Sequence, residues 1–118
     1  MTLRVFLLCL AIAAPATPAF SHAFLQHADP GAGATLPAAR APERISLTFT
    51  EKLEPVFSGV TVTDASGRDV EGGAAWIGGN AMVVPLRPLG PGIYRVNWHV
   101  VSVDTHRTEG AYGFTVKP

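Results

Sequence analysis

Apolar and polar residues alternate singly along several stretches of this chain. Ile45, Leu47 and Phe49 fall on one side of an extended segment, and Arg44, Ser46 and Thr48 fall on the other. A two-residue period is the mark of a strand with one buried face. Residues 93–103 repeat the pattern at greater length. There Tyr94, Val96, Trp98 and Val100 share the face expected in the core, opposite Arg95, Asn97 and His99 on a solvated face. Shorter β-branched and aromatic runs occur at 24–28, 60–63, 81–86 and 111–116, with one more around Trp76. They are separated by turn sequences such as Asp64-Ala65-Ser66-Gly67, Gly78-Gly79-Asn80 and Pro91-Gly92. Residues 30–34 and 37–42, rich in Pro, Gly and Ala, are expected to be loops. No segment past residue 21 shows a helical period, and no repeat or second domain is visible. About seven strands in roughly 100 residues predict an all-β fold, a Greek-key sandwich or barrel of two sheets.

The first 21 residues follow a different rule. Arg4 supplies a positive charge, an apolar run covers residues 5–14, and a small-residue and proline stretch ends in Ala19-Phe20-Ser21. These are the three zones of a cleavable secretory signal, and the apolar run falls well short of the ~20 residues a spanning helix needs. Small residues at positions 19 and 21 predict cleavage before His22; a cut after Ala19 is the competitor. The first option makes residues 1–21 a signal and residues 22–118 the mature domain, with His22 as its terminal residue.

Composition narrows the function classes. Arg4 is the only charge in the signal, so eight basic residues face nine acidic ones in the mature domain. That balance excludes the basic excess of a nucleic-acid binder. Cys9, the only cysteine, leaves with the signal. The mature chain therefore has neither disulfide nor thiolate ligand, although an exported compartment permits disulfides.

Any transition-metal site must then be built from imidazole, carboxylate, thioether or the terminal amine. Four histidines remain: His22, His27, His99 and His106. In extended chain Asp104 and His106, two apart, point the same way. By itself an Asp-x-His triplet is a weak signal that favours a plain surface turn. A terminal histidine changes its meaning, because a free α-amine and its own imidazole chelate one ion in a six-membered ring. With His106 and Asp104 this makes a three-nitrogen, one-oxygen set, which suits Cu(II). The amine must lose its proton to bind, so uptake weakens in acid. His27 and His99 read as surface residues, and Met82 as core.

At these residues the chain resembles the copper resistance protein CopC family. The resemblance is carried by His22-Ala23-Phe24-Leu25, by Leu47-Thr48-Phe49-Thr50-Glu51, and by Gly59-Val60-Thr61-Val62-Thr63-Asp64. Its most specific part runs from Tyr94 to His106 and resumes at Gly110-Ala111-Tyr112-Gly113-Phe114-Thr115-Val116. It implies a monomeric periplasmic β-sandwich of cupredoxin-like or immunoglobulin-like topology, not an enzyme, with no membrane span once the signal is removed. It also implies one Cu(II) held by His22, Asp104 and His106, with Glu51 supporting the terminal histidine from behind. An inner-membrane CopD-type transporter is the implied recipient. Two positions depart from the family. Phe24 stands where many relatives carry a second histidine. Met82 is the only methionine of the mature chain, which leaves no methionine-rich Cu(I) site. Two rival readings are a copper monooxygenase with a terminal-histidine site and a metal-free immunoglobulin-like scaffold.

Overall fold

The computed structural model describes residues 12–14 and 22–118, so most of the expected signal and the bond after Ser21 lie outside the described residues. Eight strands follow in chain order: β1 (Leu25–Asp29), β2 (Thr35–Pro37), β3 (Arg44–Phe49), β4 (Gly59–Thr63), β5 (Trp76–Gly78), β6 (Ala81–Pro85), β7 (Gly92–Val101) and β8 (Arg107–Lys117). They form two four-stranded sheets, ordered β1-β3-β6-β5 and β2-β8-β7-β4. The chain passes from one sheet to the other after β1, β2, β3, β4 and β6, which gives the expected all-β sandwich.

Alternation explains the packing. Ile45, Leu47 and Phe49 of β3 are buried, as are Met82 and Val84 of β6, and they face Tyr94, Val96, Val100 and Phe114 of the second sheet. Each such side chain contributes about 1.5–3 kcal/mol when fully buried. Trp98 completes the stripe on β7 but is only half-buried, with its ring edge-on to Phe49 at a centroid distance of 5.1 Å. It lies over Gly110, where any Cβ would overlap the indole. On the opposite face Arg95 is exposed, but Asn97 and His99 are half-buried. His99 lies over Gly59, where a Cβ would come within 2.8 Å of the imidazole Cε1. The supposed solvated face is thus partly covered by its own side chains.

Three boundaries differ from expectation. β2 is an eighth strand, parallel to β8 through Thr35 opposite Thr115 and Leu36 opposite Val116. Three residues at a sheet edge carry too short a pattern to read, and their partner lies some 80 positions away. β7 ends at Val101 rather than at residue 103, and β8 begins at Arg107 rather than 111. Asp104 and His106 therefore sit in a tight turn between the two longest strands, not in extended chain. The turn contains Thr105 in the left-handed region at φ 73°, an uncommon conformation for a β-branched residue.

Candidate metal site at the β7–β8 turn

The segment bearing His22 is fastened to both sheets. Its backbone pairs with the end of β3: Thr50 N–H donates to the Phe24 carbonyl at 2.9 Å. Phe24 N–H donates to Thr50 Oγ1 at 2.9 Å, and that hydroxyl donates to the His22 carbonyl at 3.4 Å. From the second sheet, Thr108 Oγ1 donates to the Ala23 carbonyl at 2.6 Å. Ala23 is fully buried between them. Two threonines, 58 positions apart and one from each sheet, thus fix the backbone from the His22 carbonyl to Phe24.

His106 enters from the turn that leads into β8. Its ring lies 4.7 Å from that of His22, edge to face at 73°, and Phe24 flanks His22 at 6.3 Å. Asp104 Oδ1 lies 3.4 Å from His106 Nδ1. The Ser102 hydroxyl donates to Asp104 Oδ1, and the His106 N–H approaches the same oxygen at 3.4 Å. The Ser102 bond, with help from His106, holds the Asp104 carboxyl below the usual carboxylate range. Asp104 is accordingly an anion at neutral pH, which is the form a cation requires.

The fold therefore brings His22, Asp104 and His106 to one end of the sandwich, although 82 and 84 positions separate His22 from the other two. Among the described residues, no three of His, Cys, Asp and Glu stand grouped in a metal-holding arrangement. In the full chain the His22 nitrogen is a peptide nitrogen joined to Ser21. Glu51 follows the Thr50 anchor and is half-buried, but makes no hydrogen bond or ion pair among the described residues. His27 is exposed on β1, and His99 lies on the outer face. The holding residues Thr50, Ser102 and Thr108 were not anticipated. Only Ser102 had a readable signal, since it continues the inward-facing parity of β7 with a hydroxyl.

The geometry thus defines a small two-sheet β-sandwich with two imidazoles and a carboxylate near one another at one end. Comparison with known proteins defines it further. The chain belongs to the CopC family: the CopC domain matches residues 25–117. Protein YobA of Escherichia coli K12 is 38% identical over 120 residues, covering 98% of this chain and 95% of that one. Copper resistance protein C of Xanthomonas campestris pv. juglandis is 38% identical over 108 residues, covering 84% and 83%. Among solved structures, CopC from Methylosinus trichosporium OB3b superposes with a TM-score of 0.74 at 32% identity, covering 82% of this chain and 95% of that one. Members named for a role are named for copper resistance or copper transport, not as enzymes. Among the described residues, no helix is long and apolar enough to cross a membrane.

Proposed function

We propose that the chain is exported to the periplasm, loses residues 1–21, and holds one Cu(II) as a monomer. The ligands are the α-amine and imidazole of His22, the imidazole of His106 and the carboxylate of Asp104. The observation that carries this reading is the 4.7 Å approach of the His22 and His106 rings beside Asp104. The donor chemistry supports it: nitrogen and oxygen donors in a tetragonal set favour Cu(II), and the absence of thiolate and clustered thioether disfavours Cu(I). Copper is cargo here, taken up, held and released rather than used in turnover. Glu51 supports the reading as a carboxylate near the Thr50 anchor, and its role is to orient the His22 imidazole. Delivery to an inner-membrane CopD-type transporter is the onward step that the family resemblance implies.

The test joins two measurements on one sample of exported protein: the mass of its N-terminal peptide and its copper content. An N-terminus at His22 with one copper per chain is the expected result. Cleavage elsewhere, with copper still bound at full strength, would remove the amine from the mechanism. Sustained reductant-dependent oxygen consumption would favour the monooxygenase reading, and no copper uptake would favour the scaffold.

A further inference from the structure

Position 102 is anomalous for its place in the fold. Inward-facing positions on β7 carry Tyr94, Val96, Trp98 and Val100, and the same parity leads to Ser102 just past the strand. Ser102 is 1% exposed and is the one buried polar residue of the described core. A hydroxyl placed there costs free energy unless it is bonded, and an apolar residue would continue the core without that cost. All its bonds go to one place. Its backbone N–H donates to the His106 carbonyl at 3.0 Å, and its carbonyl accepts the Thr105 N–H at 2.8 Å. Its hydroxyl donates to Asp104 Oδ1 and lies 3.3 Å from the His106 carbonyl.

We propose that Ser102 is a positioning residue for copper: its buried hydroxyl engages Asp104 Oδ1 and so presents Oδ2 to the ion. The proposal rests on the reading of Asp104 as a ligand. The contacts of the Asp104 carboxylate converge on Oδ1, from the Ser102 hydroxyl, the His106 N–H and, at 3.4 Å, the His106 Nδ1. A carboxylate held by one oxygen offers the other in a fixed direction, which is how groups behind the ligands tune metal affinity. Thr105, between the two ligand positions at φ 73°, makes the turn tight enough for this geometry. Without the hydroxyl, the Asp104 carboxylate keeps only the two longer contacts to His106 at 3.4 Å, and the coordination set is left with a more loosely held oxygen donor.

The test uses the processed protein beginning at His22, with Cu(II) affinity measured by chelator competition and the copper signal read by electron paramagnetic resonance. Ser102→Ala is expected to weaken Cu(II) binding roughly ten- to a hundredfold and to shift the resonance spectrum toward that of Asp104→Asn. In an Asp104→Asn background, the same change is expected to add almost nothing. Ser102→Thr and Ser102→Val have the same shape and differ by the hydroxyl, so they separate bonding from packing if Ser102→Ala folds poorly. The threonine variant is expected to bind more tightly than the valine variant. Equal losses by Ser102→Ala in both backgrounds, or threonine and valine variants of equal affinity, would overturn the proposal. If Asp104→Asn itself leaves affinity and spectrum unchanged, the ligand reading fails and takes the Ser102 role with it. That outcome is recognised from the single Asp104 variant alone.

Discussion

Tyr112 closes the sandwich with a single bond. Its side chain is buried on β8, and its hydroxyl donates to the Pro30 carbonyl at 2.9 Å, across 82 positions of sequence. Burial pushes its phenol up to about 12, with the Asp29 carboxylate adding to the shift. The folded state therefore prefers the neutral phenol more strongly than the unfolded chain does. Its contribution to stability is fully present below the ordinary phenol value near 10 and is lost as pH rises through about 12. An absorbance titration of tyrosinate at 295 nm is expected to show a component with a midpoint near 12 that Tyr112→Phe removes. That variant should also lose about 0.5–1.5 kcal/mol of stability at neutral pH, the usual worth of such a bond. A Tyr112→Phe titration identical to that of the parent chain would contradict the assignment. Burial of Tyr94, Met82 and Phe49 was legible from parity alone. The Tyr112–Pro30 bond was not, because no local pattern encodes a partner so far along the chain.

Between the strands, legibility depended on length. The interiors of β3 and β7 could be read because six to ten residues repeat one rule. Their ends could not, since the β-branched run continues past Val101 and nothing local marks the stop. What ends β7 is the turn built on Ser102 and the left-handed Thr105. The same limit hid β2, whose three residues pair in parallel with the end of β8. The pairing of β7 with β8 has one further requirement. Trp98 is opposite Gly110, and its indole occupies the space where a side chain at 110 would stand. Phe49 lies against the same indole, so the ring has little room to retreat. Gly110→Ala is therefore expected to destabilise the fold by about 1–3 kcal/mol, the range for overpacking a filled site. Urea unfolding measures this directly, as a lower midpoint at an unchanged slope. A midpoint equal to that of the parent chain would mean that the indole moves aside at no cost.

At the scale of the whole molecule, the candidate site has two halves with different origins. The β7–β8 turn is made by folding, and its proposed ligand pair was visible as an Asp-x-His triplet, although its shape was not. The other half lies at the start of the proposed mature domain, where Thr50 and Thr108 hold the backbone beside His22. These bonds engage backbone carbonyls and an amide beyond the terminal nitrogen, so they do not depend on whether that nitrogen is an amine or an amide. Folding and copper chelation should therefore separate cleanly. A chain that retains Ser21 ahead of His22 keeps both imidazoles and Asp104 but replaces the chelating amine with a peptide nitrogen. Its thermal unfolding midpoint without metal is expected to match that of the chain beginning at His22. Its Cu(II) affinity is expected to fall by more than about a hundredfold, beyond the range seen when only a supporting group is lost. Competition titrations on the two purified proteins decide the matter. Equal affinities would show that the amine is not a ligand, and a lower midpoint in the longer chain would show that the terminal segment is not held as described. Loss of affinity at constant stability is the signature of a site completed by proteolysis, in which the copper-binding form arises only where the signal has been removed.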